Sequence, residues 1–383
     1  MRHFDQIDAG RRAELFHRQP RNFDRDSDPG LLAVALGATL YSPATRPRLA
    51  ADIAKCAGVG VRSMVLCLED SISDGDVPAA EDNLVAQVKA VDPATAPLLF
   101  IRVRTPEQIP DLIRRLGDSA VLISGFVLPK FEAVGGKPFL DALAEASAAS
   151  GVRLLAMPVI ETRDALYRET RTGVLTDIAG LLDRRRAQIL AVRLGGTDLC
   201  AAYGLRRPRE LTIYDLHLVA SLIADVVNVF GRADGTGFTV TGPVWEYFST
   251  GERLFKPQLR EAPFAEHSAE VLRKQLITAG VDGFIREVIL DRANGLTGKT
   301  VIHPSHVAAV HALSVVSHEE YSDATDILGV PAGGAMASSY ANKMNEAKPH
   351  RAWAERTLLR AEVFGVAAEH VGFVDLFEAA VSR

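Results

Sequence analysis

Short apolar runs alternate with longer amphipathic stretches along most of the chain, and this alternation limits the fold more than any other feature. The segments between the runs, such as PFLDALAEASAAS, repeat apolar residues every three or four positions, as helices do. About eight of the short runs have the length and flanking residues of strands. They are AVALGATLYS, SMVLCLED, PLLFIRVR, ISGFVLPK, RLLAMPVIE, ILAVRLGG, GFTVTGP and KTVIHP. This pattern predicts an α/β protein, a (β/α)8 TIM barrel. A doubly wound sheet is the alternative, because periodicity does not show whether a sheet closes.

The two ends of the chain differ from this repeating middle. We predict a polar N-terminal extension over residues 1–30, a barrel over 31–328 and a C-terminal helical segment over 329–383. The extension lacks the apolar core of a signal peptide or membrane span, so we expect a cytoplasmic protein without membrane contact. The helical stretch RAWAERTLLRAEVFGVAAEH has one apolar face, which packs either on its own barrel or on a neighbouring subunit.

Composition and small motifs exclude several functions. The formal net charge is −5 and the basic residues form no long stripe, so we expect no nucleic-acid binding. The 3 cysteines show no CxxC spacing, which indicates neither zinc nor a disulfide framework. The motif GLTGKT resembles a phosphate-binding loop, but it lacks the first glycine and precedes an apolar, β-branched run rather than a helix. No nucleotide cofactor is predicted.

Charged side chains stand where the predicted strands end. In a parallel barrel the loops after the strands meet on one face, and catalytic groups lie there. The simpler interpretation of each residue is helix capping, which Asp198 and Thr162 could both provide. As a set, however, the strand-end charges predict an active site. They are Glu69, Asp70, Arg102, Arg104, Lys130, Glu161, Asp198 and His303.

Two of these acids have the pattern of a cation site. Glu161 and Asp198 follow neighbouring predicted strands, and magnesium is typically held by one or two carboxylates with water and substrate completing its shell. Gly195 and Gly196 would let backbone and substrate approach closely. Arg102 offers a planar fork for a carboxylate or a developing enolate. Together these residues predict carbanion chemistry beside a carbonyl group.

Seven motifs in the same order resemble the citrate lyase beta-subunit superfamily, which includes malyl-CoA lyases and related aldolases. They are LYSPATRPRL, VLCLEDSI, FIRVR, VLPKFE, PVIETRDAL, LGGTDLCAAYG and GKTVIHPSHV, and they span residues 36 to 310. The resemblance implies a TIM barrel that uses magnesium to cleave or form carbon–carbon bonds in hydroxy acids or their CoA thioesters. It places the metal-binding acids at Glu161 and Asp198 and a substrate-binding arginine at Arg102. Arg104 stands where the family has asparagine.

The same resemblance implies further roles. Glu69 and Asp70 match the acids that hold metal-bound water or orient the arginine, and Asp70 stands where the aldolase branch has histidine, which favours the citrate lyase side. Arg46 and Lys130 are implied to contact substrate or its surroundings, and Lys130 could also pair with Glu132 or Glu161. Glu346 is the candidate for the acid that the family carries near its C-terminus, although KMNEAKPH departs from the family pattern.

Two segments match no family motif. A long insert containing RTGVLTDIAGLLDRRRAQ separates Glu161 from Asp198, and PVWEYFSTGERLFKPQLREAPF precedes the last predicted strand. The resemblance also implies a homo-oligomer, a trimer or a hexamer. His303 is either a general base or a structural hydrogen bonder at its strand end, and the structural role is favoured.

The sequence thus predicts a magnesium-dependent carbon–carbon lyase that acts on a hydroxy acid or hydroxyacyl-CoA through an enolate. A thioester hydrolase on the same barrel and a catalytically silent relative that binds a small acid or CoA are the alternatives.

Overall fold

The computed structural model describes residues 1–248, 281–330 and 334–381. Eight parallel strands form one sheet in the order β7-β6-β5-β4-β3-β2-β9-β8. These strands are β2 (Ala38–Pro43), β3 (Ser63–Cys67), β4 (Leu98–Arg102), β5 (Ile123–Leu128), β6 (Leu155–Ile160), β7 (Arg193–Leu194), β8 (Gly242–Trp245) and β9 (Lys299–Val301). Most of their residues are buried, as expected for strands that pack on both faces.

Backbone bonds join the two ends of this sheet. The Val192 amide donates to the Thr239 carbonyl at 2.8 Å, and the Thr241 amide donates to the Val192 carbonyl at 2.9 Å. These residues lie next to β7 and β8, so the sheet closes on itself. The predicted TIM barrel is therefore confirmed, and the doubly wound alternative is wrong.

Helices connect successive strands around the barrel. The described helices are α1 (Ala9–Leu15), α2 (Pro29–Ala35), α3 (Leu49–Gly58), α4 (Val77–Val88), α5 (Gln108–Leu116), α6 (Ala133–Ser150), α7 (Arg163–Leu166), α8 (Arg168–Arg184), α9 (Gly196–Ala201), α10 (His217–Phe230), α11 (Asp282–Ala293), α12 (Val307–Ser314), α13 (His318–Gly329), α14 (Arg351–Phe364) and α15 (Phe373–Val381). None of them is both long and apolar enough to cross a bilayer.

The segment interpreted as an insert between Glu161 and Asp198 is the ordinary connection between β6 and β7. Its apolar residues Leu175, Ile178 and Leu182 line the buried face of α8. The unmatched segment begins within β8, at Pro243, and is described only as far as Phe248; its remainder lies outside the described residues.

Both ends of the chain pack on the barrel. Phe4, Leu15 and Phe23 belong to the main hydrophobic core although residues 1–30 are mostly polar. Strand β1 (Phe16–Arg18) pairs with β12 (Val366–Ala367), and β10 (Ala335–Ala337) forms a hairpin with β11 (Met344–Glu346). Helix α14 contacts α13 and α2 of the same chain.

A buried ionic network lies between α11 and β9. Lys299, at the start of β9, donates to Glu287 at 2.7 Å and to Asp291 at 2.6 Å, and Arg207 contacts the same Glu287. Gly298 therefore precedes a strand whose first residue is a buried, paired lysine. A phosphate-binding loop would lead into a helix instead.

Candidate active site

A cavity of about 560 Å³ opens at the carboxyl ends of the barrel strands. This is the face on which βα loops build sites in such barrels. Charged groups from four different strand ends line it, namely Asp70, Arg102, Glu161 and Asp198. Arg193, which the sequence interpretation did not select, also lines it.

Glu161 follows the last residue of β6, and its side chain is fully buried. Its Oε1 accepts hydrogen bonds from Arg102 Nη2 at 2.9 Å and from the Lys130 amide at 2.8 Å. Its Oε2 is buried and has no hydrogen-bond partner among the described residues. Burial, aided by the nearby charge of Asp198, raises the pKa of Glu161 to about 7 against the opposing effect of Arg102.

Gly195 makes room for the Glu161 carboxylate. A Cβ at position 195 would overlap Oε2 and Cβ of Glu161. At Gly196 a Cβ would lie 3.3 Å from Cβ of Pro243 in β8. Both glycines line the cavity, and a Cβ at either position would first meet a side chain of the barrel.

Asp198 lies in the first turn of α9, directly after β7, and Gly195 rather than Asp198 is the N-cap of this helix. Strands β6 and β7 are hydrogen-bonded neighbours, so Glu161 and Asp198 reach the cavity from adjacent positions. Burial, with a contribution from Asp70, raises the pKa of Asp198. No lysine or arginine among the described residues lies within ion-pairing distance of it.

Arg102 joins three carboxylates. Its Nη2 lies 2.8 Å from Glu69 Oε2, 2.9 Å from Glu161 Oε1 and 3.3 Å from Asp70 Oδ2. Glu161 is the strongest of the charges that raise the pKa of Arg102 although burial lowers it. The guanidinium is therefore held, fully charged, against the acids at the end of β3 and β6.

Lys130 contributes its backbone and its side chain to the same cluster. It has a positive φ of 46°, and its amide donates to Glu161. Its ammonium group contacts Glu69 and lies 3.3 Å from Asp70 Oδ1. Of the pairings expected for Lys130, the one with Glu161 occurs through the backbone and the one with Glu132 is absent from the described contacts.

Arg104 supports the loop after β3. It donates to the carbonyls of Leu68 at 2.7 Å, Glu69 at 3.1 Å and Ile72 at 2.7 Å, and it contacts Asp74. It is not among the described residues that line the cavity. The arginine at the family's asparagine position thus fixes the backbone that carries Glu69 and Asp70.

Other predicted site residues lie elsewhere. Arg46 is an exposed side chain that pairs with Asp52, and Glu346 lies in β11, where its amide donates to His350. Neither is among the described residues that line the cavity. His303 caps the turn after β9 through Ser305 and stacks on Phe248, and burial lowers its pKa.

The donor set fits a divalent cation. The four acids Glu69, Asp70, Glu161 and Asp198 face two cations, Arg102 and Lys130, which leaves an excess of two negative charges when all are ionised. Glu161 Oε2 and Asp198 are the oxygens not already taken by a cation. Within the described residues no group of three or more His, Cys, Asp and Glu side chains is placed to hold a metal ion. Water or substrate would therefore supply the remaining ligands, as magnesium prefers.

The comparisons with known proteins agree with this architecture. A family model described as carbon–carbon bond lyases of the TIM-barrel fold matches residues 30–366. No functionally curated protein matches the sequence.

Several solved structures share the fold at low sequence identity. Protein CitE from Mycobacterium tuberculosis, solved with magnesium, acetoacetate and coenzyme A, is 21% identical with a TM-score of 0.54 over 86% of this chain and 99% of that chain. A citrate lyase from Burkholderia xenovorans LB400 is 15% identical with a TM-score of 0.61 over 91% and 96%. The magnesium and glyoxylate complex of Haloferax volcanii malate synthase is 14% identical with a TM-score of 0.50 over 71% and 73%.

Proposed function

Because the chain belongs to the family of carbon–carbon bond lyases of the TIM-barrel fold, we propose that it is a magnesium-dependent lyase of the citrate lyase type. Its substrate is a hydroxy acid or a hydroxyacyl-CoA, which it cleaves or forms through an enolate. The bound ligands of the CitE structure, magnesium with a small acid and CoA, are of the same chemical kind.

The observation that carries the proposal is the unpaired Oε2 of Glu161. Burying a carboxylate oxygen without a partner is costly, so structures retain such an atom where a ligand compensates it. Gly195 lies against this oxygen, and Asp198 lines the same cavity. Glu161 and Asp198 would hold the magnesium ion, which would supply Lewis-acid stabilisation of negative charge on substrate oxygens.

The protein residues around this position prepare the reaction. Arg102 brings a fixed positive charge to the wall of the cavity, where it stabilises the developing enolate. Glu69 and Glu161 hold its guanidinium in place through bonds of 2.8 and 2.9 Å, so little reorganisation is needed when charge develops. The side chains of Arg102 and Glu161 are themselves largely buried, which strengthens the electrostatic interaction between them.

A turnover assay tests the proposal. Purified protein is incubated with magnesium and a panel of hydroxy acids and hydroxyacyl-CoA esters, and released keto acid is measured. We expect release with at least one compound, and its loss in Glu161→Gln and Asp198→Asn. Glu145→Gln and Asp177→Asn, which alter exposed acids on α6 and α8, are the matched controls and should keep full activity.

The same assay separates the alternatives. Free CoA without keto acid would indicate the thioester hydrolase, in which a C-terminal acid such as Glu346 activates water. Magnesium binding without turnover of any compound would indicate the silent relative. Either result would contradict the proposed lyase.

We also propose a homo-oligomer, a trimer or a hexamer, in which the β10–β11 hairpin of the C-terminal segment reaches a neighbouring subunit while the following helices pack on their own barrel. Glu346 lies in this hairpin and is not among the described residues that line the cavity of its own chain, which is consistent with a role at a neighbour's site. Sedimentation velocity tests this assembly, and a purely monomeric protein at micromolar concentration would contradict it.

A further inference from the structure

An arginine lies inside the barrel, and no carboxylate among the described residues pairs with it. Arg193 on β7 is 1% exposed, yet it lines the cavity together with Tyr41 and Thr300. The interior of such barrels is normally filled by layers of branched apolar side chains. A buried guanidinium here is costly unless a negative charge compensates it.

The described contacts of Arg193 do not provide that charge. Its Nη2 donates to the hydroxyl of Thr300, and its Nη1 lies 3.7 Å from the sulfur of Met157. Its guanidinium carbon lies 5.5 Å from the centre of the Tyr41 ring. A hydroxyl, a thioether and an aromatic face use only part of a group with five donors. In the described part of the chain no acid forms an ion pair with it.

The other arginine of the cavity is already engaged. Arg102 shares its Nη2 among Glu69, Asp70 and Glu161, and the ammonium of Lys130 contacts Glu69 and Asp70. Among the described residues that line the cavity, Arg193 is therefore the cation available to an incoming anion. A planar fork of this kind matches a carboxylate in a two-bonded arrangement.

We propose that Arg193 binds a carboxylate of the substrate beside Tyr41 and Thr300 in the cavity, so that the enzyme selects acids with two anionic groups. One group lies near Glu161 and Asp198, and the second meets Arg193. This inference rests on the proposed function for the first group, whereas the second depends on Arg193 alone. Thr300, which is 8% exposed, orients the guanidinium through its hydroxyl.

Binding of matched acids tests the proposal. Calorimetric titration in the presence of magnesium compares 2-oxoglutarate with 2-oxopentanoate, and oxaloacetate with 2-oxobutanoate, which differ by one terminal carboxylate. We expect at least one dicarboxylate to bind about tenfold or more tightly than its monocarboxylate partner, the discrimination typical of a charge-assisted pair. In Arg193→Met this preference disappears while the monocarboxylate affinity stays unchanged.

Two further variants complete the test. Arg193→Lys keeps the charge but loses the fork, so it should retain part of the preference. Arg114→Met, which removes an exposed arginine from α5, should retain all of it. The preference for dicarboxylates over monocarboxylates is measured on the unaltered protein, so the proposal remains testable if Arg193→Met does not fold.

Separate measurements distinguish this proposal from the proposed function. Binding of Mn²⁺, followed by electron paramagnetic resonance, reports on Glu161 and Asp198 and should be unaffected by Arg193→Met. If the unaltered protein binds no Mn²⁺, the proposed cation site at Glu161 and Asp198 is wrong. Equal affinity for both acids of each pair, absence of binding by all four, or an equal loss of both affinities in Arg193→Met would overturn the role of Arg193.

Discussion

Gly195 and Glu161 occupy adjoining space at the ends of neighbouring strands, and the missing side chain of one accommodates the carboxylate of the other. The Gly195 amide also donates to the carbonyl of Ile160, the residue before Glu161, at 3.1 Å. The position of the proposed cation ligand is therefore set by backbone pairing on one side and by the absence of a Cβ on the other.

We predict that Gly195→Ala disables the site. The new Cβ would overlap Oε2 and Cβ of Glu161, so the carboxylate or the turn must move. Because misplacement by about 1 Å can cost roughly 10²-fold in rate, kcat should fall by about that factor. Gly173→Ala in α8, where a Cβ meets nothing within 4 Å, is the control. Equal activity of both variants in steady-state assays would show that the missing side chain of Gly195 is not needed to position Glu161.

Arg102 should matter for both stability and catalysis. Arg102→Met leaves Glu69 and Glu161 buried without their shared cation, which should lower the free energy of unfolding by about 3–5 kcal/mol. Arg102→Lys keeps the charge but cannot hold three carboxylates with the same geometry, so kcat/KM should fall by roughly 10²-fold or more. Urea unfolding and initial rates measure the two effects.

The control for Arg102 is Arg11→Met, which alters an exposed ion pair with Glu14 on the first helix. This substitution should change stability by no more than about 0.5 kcal/mol. If Arg102→Met were as stable as this control, the contacts of Arg102 with its three carboxylates would not stabilise the fold.

Arg104→Asn restores the residue that the related family carries at this position, and we predict that it harms this protein. The substitution removes bonds to three carbonyls of the loop that bears Glu69 and Asp70. Stability should fall by about 1–3 kcal/mol, and kcat/KM should fall with it. Arg114→Asn on the surface of α5 should change neither. Unchanged or higher activity in Arg104→Asn would indicate direct contact with substrate instead.

Acid should destabilise the fold through a buried histidine. His311 accepts a hydrogen bond from the Ala38 amide at 3.2 Å, and burial lowers its pKa to about 3. Below pH 6.5 the unfolded chain binds a proton that the folded chain does not, so stability present above pH 6.5 is lost as the pH falls toward 3. Between pH 6 and 4 this loss amounts to about 1.4 kcal/mol per pH unit.

The variant His311→Gln isolates this effect, because glutamine can still accept the Ala38 bond but does not titrate. Its free energy of unfolding, measured by denaturant titration at each pH, should depend less steeply on pH than that of the unaltered protein. His370→Gln, at an exposed position, should retain the original slope. Identical slopes for all three proteins would show that His311 does not contribute.

Local sequence patterns predicted the eight strands and part of the site, whereas closure of the barrel depends on the bonds between Val192 and the segment before β8. The strand-end positions of Glu161, Asp198 and Arg102 follow from apolar runs that stop at a charge, and the structure brings these three residues to one cavity. Strand β7 has 2 residues, and this short length could not be predicted. The neighbouring residue Val192 forms only a single bridge, with Val240, which is distant in the chain.

Contacts between distant residues explain what the sequence did not show. The role of Arg104 depends on carbonyls 32 to 36 residues away in the chain, and the backbone bond of Lys130 depends on a positive φ that lysine rarely adopts. Arg193 left one signal, a charge within the apolar run ILAVRLGG. Only the folded barrel shows that no described acid pairs with it.

The central claim is that Glu161 and Asp198 together hold a divalent cation. Calorimetric titration of the purified protein with Mg²⁺, repeated with Glu161→Gln, Asp198→Asn and the surface controls Glu145→Gln and Asp177→Asn, tests it most directly. We predict one site per chain in the unaltered protein and both controls, and its loss in both site variants. Undiminished Mg²⁺ binding in Glu161→Gln and Asp198→Asn, or none in the unaltered protein, would contradict it.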